Sequence, residues 1–455
     1  MSLNPNSDAP RLARFLDDTV GGTVDLWKAH GDLAAFTDGG RPVYFAAGPT
    51  HARQVFAHPD VFHLSFGLAG PRNSSQRAFT RGVFGINGPH HQFVRSLLMP
   101  AFRKPVVEGH HDQLAECVRE AIAPWRAGQT RDLYRDMKAL SLLMTDRLLF
   151  GGGDLELSAR VDEAFDAWLA QHHRVSFAAL LGVGGEPDGY DRLLAAADEL
   201  AELLQQLIAA CDRGANRDSA VGRLLAARRA GTLTDPDVLG LVHSLFNAAH
   251  HTVTASLSWT LFLVSQHPEV NAALLDETSG PELPAGKPKL ADRVIRESMR
   301  VLPPPVYVCR QATQPTHLGT TPVPAGSIVV LGVYATHHAP ASYPHPERFD
   351  PDRWLAMGPC PHAHVPFGGG ARMCLGAPLA TLFLETALRL IVPRFRLAVV
   401  PGSRIDRRAT LTLRPSPGIP VLIRDQDRNF STSPVTGMIH EMVDLPAVKT
   451  GAAAA

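Results

Sequence analysis

The chain has 455 residues, 45% of them hydrophobic, enough for a core that can enclose a cofactor. Its 44 Lys and Arg balance 44 Asp and Glu, and a net charge of +0 argues against a nucleic-acid partner, which calls for a basic excess. The five cysteines (Cys117, Cys211, Cys309, Cys360 and Cys374) are odd in number and widely spaced with no CxxC pair, which argues against a disulfide framework and fits a reducing, cytoplasmic setting.

The N-terminal stretch MSLNPNSDAPRLARFLDD has no basic region followed by an apolar one, so neither a signal peptide nor a membrane anchor is expected. RPVYFAA reads as a strand and PTHARQVFAHPD as a helix. Residues 61–88 are rich in Gly, Ser and Asn and read as a long loop. Apolar residues recur at three and four across 89–152 and again across 154–230, which predicts helices with a break at LGVGGEPDGYD.

Thr234–Asp235–Pro236 supplies a capping oxygen and an early proline, so a helix should start there and run to about His267. At about 1.5 Å per residue it is roughly 45 Å long and must cross most of a domain. Its apolar tract is interrupted by His243, Asn247, His250 and His251, which argues against a membrane helix. KLADRVIRESMR is a second helix, stopped by Pro303–Pro304–Pro305. Residues 306–336 are β-like, and HHAPASYPHPERFDPDRWL is Pro-rich and irregular. An apolar helix, ATLFLETALRLIV, and two strands, TLTLRP and IPVLIRD, follow. The expected organisation is one domain over 1–425 and a loosely ordered tail over 426–455.

Between these last helical and irregular regions lies FGGGARMCLG, residues 367–376. A thiolate at a helix start is stabilised by free backbone N–H groups and the positive end of the helix dipole. Gly368, Gly369 and Gly370 strip the backbone of side chains, so a flat, bulky partner can approach, and Gly376 extends this into the first helical turn. Phe367 can pack on such a partner, and Arg372 can meet a negative group on it. The spacing suits a Cys374 thiolate that ligates a large planar cofactor carrying carboxylates.

This stretch resembles the haem-binding loop of the cytochrome P-450 family: Phe, two residues, Gly, three residues, Cys, one residue, Gly. Further family motifs occur in the expected order. Glu297-x-x-Arg300 places an acid and a base on one helix face, and Pro346–Glu347–Arg348–Phe349 resembles the segment whose arginine joins them. By resemblance, Glu297, Arg300 and Arg348 form a buried charge network. His91-x-x-x-Arg95 puts two side chains on one face, and by resemblance this pair, with Arg310 and Arg372, holds the haem propionates. In the long helix, Ala248–Ala249–His250–His251–Thr252 matches the family's oxygen-binding pattern. Ala248 leaves room above the haem and Thr252 matches the threonine that hydrogen-bonds bound oxygen. Ala249 replaces the usual glycine and His251 replaces the usual acid. A histidine can also carry protons, because its pKa of about 6.5 allows both states near neutrality.

The resemblance spans about residues 10–425. It implies a mainly α fold with small β sheets, a triangular helical prism with the long helix over haem b (iron protoporphyrin IX). It also implies a monooxygenase that uses dioxygen to hydroxylate or epoxidise a lipophilic molecule: a fatty acid, a terpenoid or a polyketide-like metabolite. No reductase domain or Rossmann fingerprint is present, so electrons are expected from a separate ferredoxin and ferredoxin reductase, with NAD(P)H as the ultimate donor. Phe84, Ile86, Leu245, Val306 and Tyr307 are expected to line the pocket, together with Phe177 and Leu180. The alternatives are a peroxide-using or reductant-independent haem-thiolate enzyme, and a non-catalytic haem sensor.

Five His-His pairs occur, at 90–91, 110–111, 172–173, 250–251 and 337–338. Adjacent helical residues diverge by about 100°, so a pair rarely serves one metal, and no HExxH accompanies them. By resemblance, Cys374 is the expected metal ligand.

Overall fold

The computed structural model describes residues 14–15, 17–36, 41–65, 67–152, 154–181, 189–214, 218–280, 289–358, 360–410 and 412–448. Seven helices and one sheet place the site. The helices are α1 (Gly48–Ala57), α2 (Gly88–Leu98), α3 (Leu133–Thr145), α4 (Leu155–His172), α5 (Asp235–Gln266), α6 (Leu290–Val301) and α7 (Ala377–Ile391). The strands are β1 (Leu33–Phe36), β2 (Val43–Ala46), β3 (Phe62–His63), β4 (Tyr307–Ala312) and β5 (Ile328–Gly332).

The predicted long helix is α5, with 32 residues. The Thr234 side chain accepts from the N–H of Asp237, whose carboxylate accepts from the N–H of Thr234, and this capping box fixes the start. Pro268 opens the next helix, so α5 stops at Gln266. It runs through the apolar core and packs on α3, α6, α7 and the short helix Ser75–Phe79. Its hydroxyl side chains in the second half are satisfied within the helix. Thr254, Ser256, Ser258 and Thr260 each donate to the carbonyl four residues back, at 2.7–2.9 Å.

The sheet has the order β1-β2-β5-β4-β3, antiparallel except for the β2–β5 pair. Smaller sheets of two or three strands complete the β structure among the described residues, giving the expected helix-rich fold with small sheets.

Two expectations need correction. The 61–88 stretch is not all loop: it contains β3 and the helix Ser75–Phe79, whose cap is the Ser74 hydroxyl. Both elements are too short to show periodicity. The stretch after 425 is not loose as far as residue 448. Val435–Thr436 pairs with Ser403–Arg404, and Ile439, Met442 and Val443 are buried in the main core. A spaced apolar triplet behind a polar run hid that packing. Residues 449–455 lie outside the described residues.

Candidate active site

The cysteine loop is shaped by its own backbone. The Cys374 N–H donates to the Phe367 carbonyl at 2.9 Å, and the Met373 N–H donates to the Gly370 carbonyl at 3.0 Å. Gly370 has φ +63°, and a Cβ there would stand 2.1 Å from the Phe56 carbonyl oxygen of α1, so only glycine fits. Phe367 is half-buried against the main core. α7 starts at Ala377, with Gly376 at its cap. Protein surrounds the Cys374 thiol closely enough for burial to push its pKa up, although the residue stays accessible on one side. The N–H groups of Gly376 and Ala377 and the charge of Arg95 favour the thiolate.

Four side chains predicted to hold propionates meet in one field. Burial lowers the His91 pKa to about 4, helped by Arg372 and Arg95. Burial also pushes Arg372 down to about 10, with Arg95 adding to it, and Arg310 to about 10, with Arg372 adding to it. Arg95 is lowered by burial, while Cys374 acts the other way. Among the described residues, no carboxylate lies within ion-pair distance of Arg95, Arg310 or Arg372. Arg372 instead donates to the Ile86 carbonyl at 2.7 Å and Asn87 Oδ1 at 2.6 Å, and Arg310 to the Cys309 carbonyl at 2.8 Å. Cations that are buried or half-buried, repel one another and lack an acid are costly unless an anion joins them. Two residues here were missed by sequence reasoning. Asn87 orients Arg372, and His63 on β3 is lowered by burial and then by Arg372. Neither carries a motif; only the pairing of β3 with β4 brings His63 in.

α5 has one opening. From Asp237 to Gln266 every residue is buried except Ala248, Ala249 and Thr252. These are the residues the sequence placed above the haem. Thr252 Oγ1 donates to the Ala248 carbonyl at 2.7 Å, which leaves its lone pairs free to accept. Of the expected pocket residues, Ile86, Leu245 and Val306 are buried in the main apolar cluster and Tyr307 packs against it, while Phe84 is exposed. The side chains of Phe177 and Leu180 lie outside the described residues.

His251 is buried on a different side of α5. Its Nε2 is 3.7 Å from Asp162 Oδ1 of α4, and His250 Nε2 is 3.1 Å from the same oxygen. Lys138 of α3 holds Asp162 Oδ2 at 2.8 Å and Asp166 at 2.7 Å. Burial, and then the neighbouring His250, lower the His251 pKa to about 3, so its ring is neutral.

The charge network differs from expectation in one member. Glu297 and Arg300 are fully buried, and Arg300 donates to both Glu297 oxygens at 3.0 and 2.8 Å. The third partner is Arg353, not Arg348. Arg353 Nε lies 2.8 Å from Glu297 Oε1, and Trp354 Nε1 donates to Oε2 at 3.0 Å. Arg348 is exposed and contributes its carbonyl, which accepts from Arg300 and Arg353. The stretch carries two similar blocks, PERF and PDRW, and the second one turns inward.

The arrangement fits a haem-thiolate site. Cys374 would hold the iron of haem b, the stripped glycine loop would lie against the ring, and the acid-free cluster of His91, Arg95, Arg310 and Arg372 would take its two propionates.

The cytochrome P-450 family model matches residues 17–422, and the chain belongs to that family. It is 30% identical over 410 residues to cyclooctatin synthase of Streptomyces melanosporofaciens, covering 86% of this chain and 88% of that one. It is 31% identical over 417 residues to cyclooctat-9-en-7-ol 5-monooxygenase of the same organism, covering 85% and 89%. Pentalenene oxygenase of Streptomyces avermitilis is 27% identical over 410 residues, covering 85% and 88%. Among solved structures, retinoic acid bound cyanobacterial CYP120A1 superposes with a TM-score of 0.78 at 24% identity, over 90% of this chain and 96% of that one. CYP175A1 of Thermus thermophilus gives 0.74 at 23%, over 93% and 100%. These likenesses identify the fold. The protein is a cytochrome P-450 monooxygenase. No described helix is long and apolar enough to cross a membrane.

Proposed function

We propose that the protein hydroxylates or epoxidises a polycyclic terpenoid hydrocarbon or alcohol, with electrons from a separate ferredoxin and ferredoxin reductase. The observation that carries this reading is the opening in α5. Ala248 and Ala249 offer space without polarity and Thr252 a single hydroxyl; Leu245 lies one turn away on the same helix, and Ile86 and Val306 belong to the same apolar cluster. An apolar wall with few polar anchors suits a rigid lipophilic substrate. Relatives named for cyclooctat-9-en-7-ol and pentalenene support a terpenoid over a fatty acid.

When bound, the haem supplies activation of dioxygen for insertion of one oxygen atom into a C–H bond or across C=C. The chain's own residues do the rest. Cys374 would hold the metal as a thiolate, an electron-rich ligand of the kind that favours O–O cleavage. Thr252 accepts a hydrogen bond beside the opening. His251, with a neutral ring next to Thr252 in sequence, passes protons between the Asp162–Lys138–Asp166 cluster and the distal space. Asp166 and Lys138 are the more accessible members of that cluster, at 31% and 23% side-chain exposure, and serve as its solvent end.

The test is titration of the haem spectrum with cyclic terpenoids, fatty acids and macrolides, followed by turnover with ferredoxin, reductase and NADPH. A cyclic terpenoid that shifts iron to high spin and yields one oxygenated product per NADPH supports the reading. A shift with fatty acids alone, or turnover with peroxide but not with NADPH, contradicts it.

A further inference from the structure

Three buried side chains on two helices aim ligand atoms at one point. Asp162 Oδ1, His250 Nε2 and His251 Nε2 all lie within 4.8 Å of one another. The side chains are 8%, 0% and 5% exposed. None of these three atoms has a hydrogen bond of good geometry, despite the short His250–Asp162 approach. His250 is close enough to Asp162 to stabilise the carboxylate, but the three buried polar atoms share no well-aligned hydrogen bond, which is unfavourable unless a positive species sits among them. A single proton can join His250 to Asp162 but leaves His251 unpaired. An ion satisfies all three.

We propose that Asp162, His250 and His251 bind a divalent transition-metal ion such as Zn²⁺, at a site separate from the haem. Two imidazoles and one carboxylate are donors of the borderline class that zinc takes. At about 2.0–2.1 Å from a tetrahedral ion, ligand atoms stand roughly 3.3 Å apart. The observed 3.1 and 3.7 Å from Asp162 Oδ1 to the two nitrogens bracket that spacing.

The adjacent histidines diverge as helical geometry demands, yet α4 passes close enough for one Asp162 oxygen to meet both. The surroundings orient this acid. Lys138 holds its other oxygen at 2.8 Å, and Ser141 donates to the His250 carbonyl at 2.9 Å. The fourth position is left for water. Lys138 and the nearby Arg414 already offset Asp162 and Asp166, so the two imidazoles rather than net charge must supply most of the affinity. Binding is therefore reversible and is measured by titration rather than by copurification.

The experiment is equilibrium dialysis of the untagged, haem-loaded protein against buffers of rising free Zn²⁺, with zinc counted per haem iron. The wild-type chain is expected to show one saturable zinc per haem that is tighter than any remaining sites. Asp162→Asn and His250→Gln should each weaken that site at least tenfold while the haem spectrum stays that of the wild type. If one substitution prevents haem loading, the other carries the test. A wild-type chain with no saturable zinc overturns the proposal and leaves a shared proton in its place. Zinc that binds equally to the wild type and both variants also overturns it, because it then sits on surface histidines. The measurement needs no substrate; zinc on His251 Nε2 blocks proton transfer at that nitrogen, so the relay belongs to the zinc-free state.

Discussion

Arg353 Nε lies 2.8 Å from Oε1 of the fully buried Glu297. The same carboxylate binds Arg300, Trp354 Nε1 and the Asp350 N–H, so every lone-pair direction is used. Breaking one side of a buried ion pair leaves an uncompensated charge, at about 3–5 kcal/mol. Arg353→Ala is therefore expected to lower unfolding free energy by that amount or to prevent haem loading. Arg348→Ala keeps the carbonyl and should change stability by no more than about 0.5 kcal/mol. Urea unfolding of the two variants checks the ranking, and an equal loss in both would contradict the assignment.

The propionate cluster makes a two-sided prediction. Arg310 is buried among cations and, among the described residues, has no acid beside it, so the haem-free chain carries its cost without its benefit. Arg310→Ala should raise the haem dissociation rate roughly tenfold, from the ~1.5 kcal/mol lower bound for a hydrogen bond to a charged group. It should leave the haem-free chain as stable as before, or more so. Haem transfer to an acceptor protein and thermal unfolding of the haem-free form measure the two sides. A variant that retains haem unchanged would remove Arg310 from the propionate site.

His251→Phe keeps an aromatic ring against Phe165, which lies 5.2 Å from the His251 ring, but removes the nitrogen that faces Asp162. Product formed per NADPH consumed should fall severalfold, with the lost electrons appearing as peroxide. Unchanged coupling would show that water alone carries the protons.

Burial holds the His338 ring at about 3, while its Nδ1 hydrogen-bonds the Tyr334 carbonyl. The folded pKa lies below the unfolded value of about 6.5, so the unfolded chain binds the extra proton between these limits. Stability from this ring is complete above about pH 6.5 and falls as pH falls through that window. At about pH 5.5 the loss is about 1.4 kcal/mol for this one group. The drop in urea stability from about pH 7 to 5.5 should be smaller by about 1.3 kcal/mol in His338→Gln, relative to wild type. An identical drop in both proteins would place the titration elsewhere.

Long-range partners explain what the sequence left hidden. The start of α5 was legible because Thr234 and Asp237 act within four residues, and the cysteine loop because its glycines and thiol are contiguous. His91 and Arg95 share a helix face, so their spacing was readable too. His63 and Asp162 carry no local signal. The first joins the site through a two-residue strand, and the second through a helix crossing. Arg353 was displaced by Arg348 because local pattern alone does not say which of two similar blocks turns inward. The tail escaped for the same reason: Ile439, Met442 and Val443 find their apolar partners only in the folded core.

The central claim is that Cys374, alone among five cysteines, ligates the haem iron. X-ray absorption at the iron edge of the ferric, haem-loaded protein tests it directly. The account predicts one sulfur neighbour in the wild type, its loss in Cys374→Ser, and its retention in Cys309→Ser. A first shell of nitrogen and oxygen alone in the wild type, or a sulfur neighbour that survives in Cys374→Ser, would contradict it.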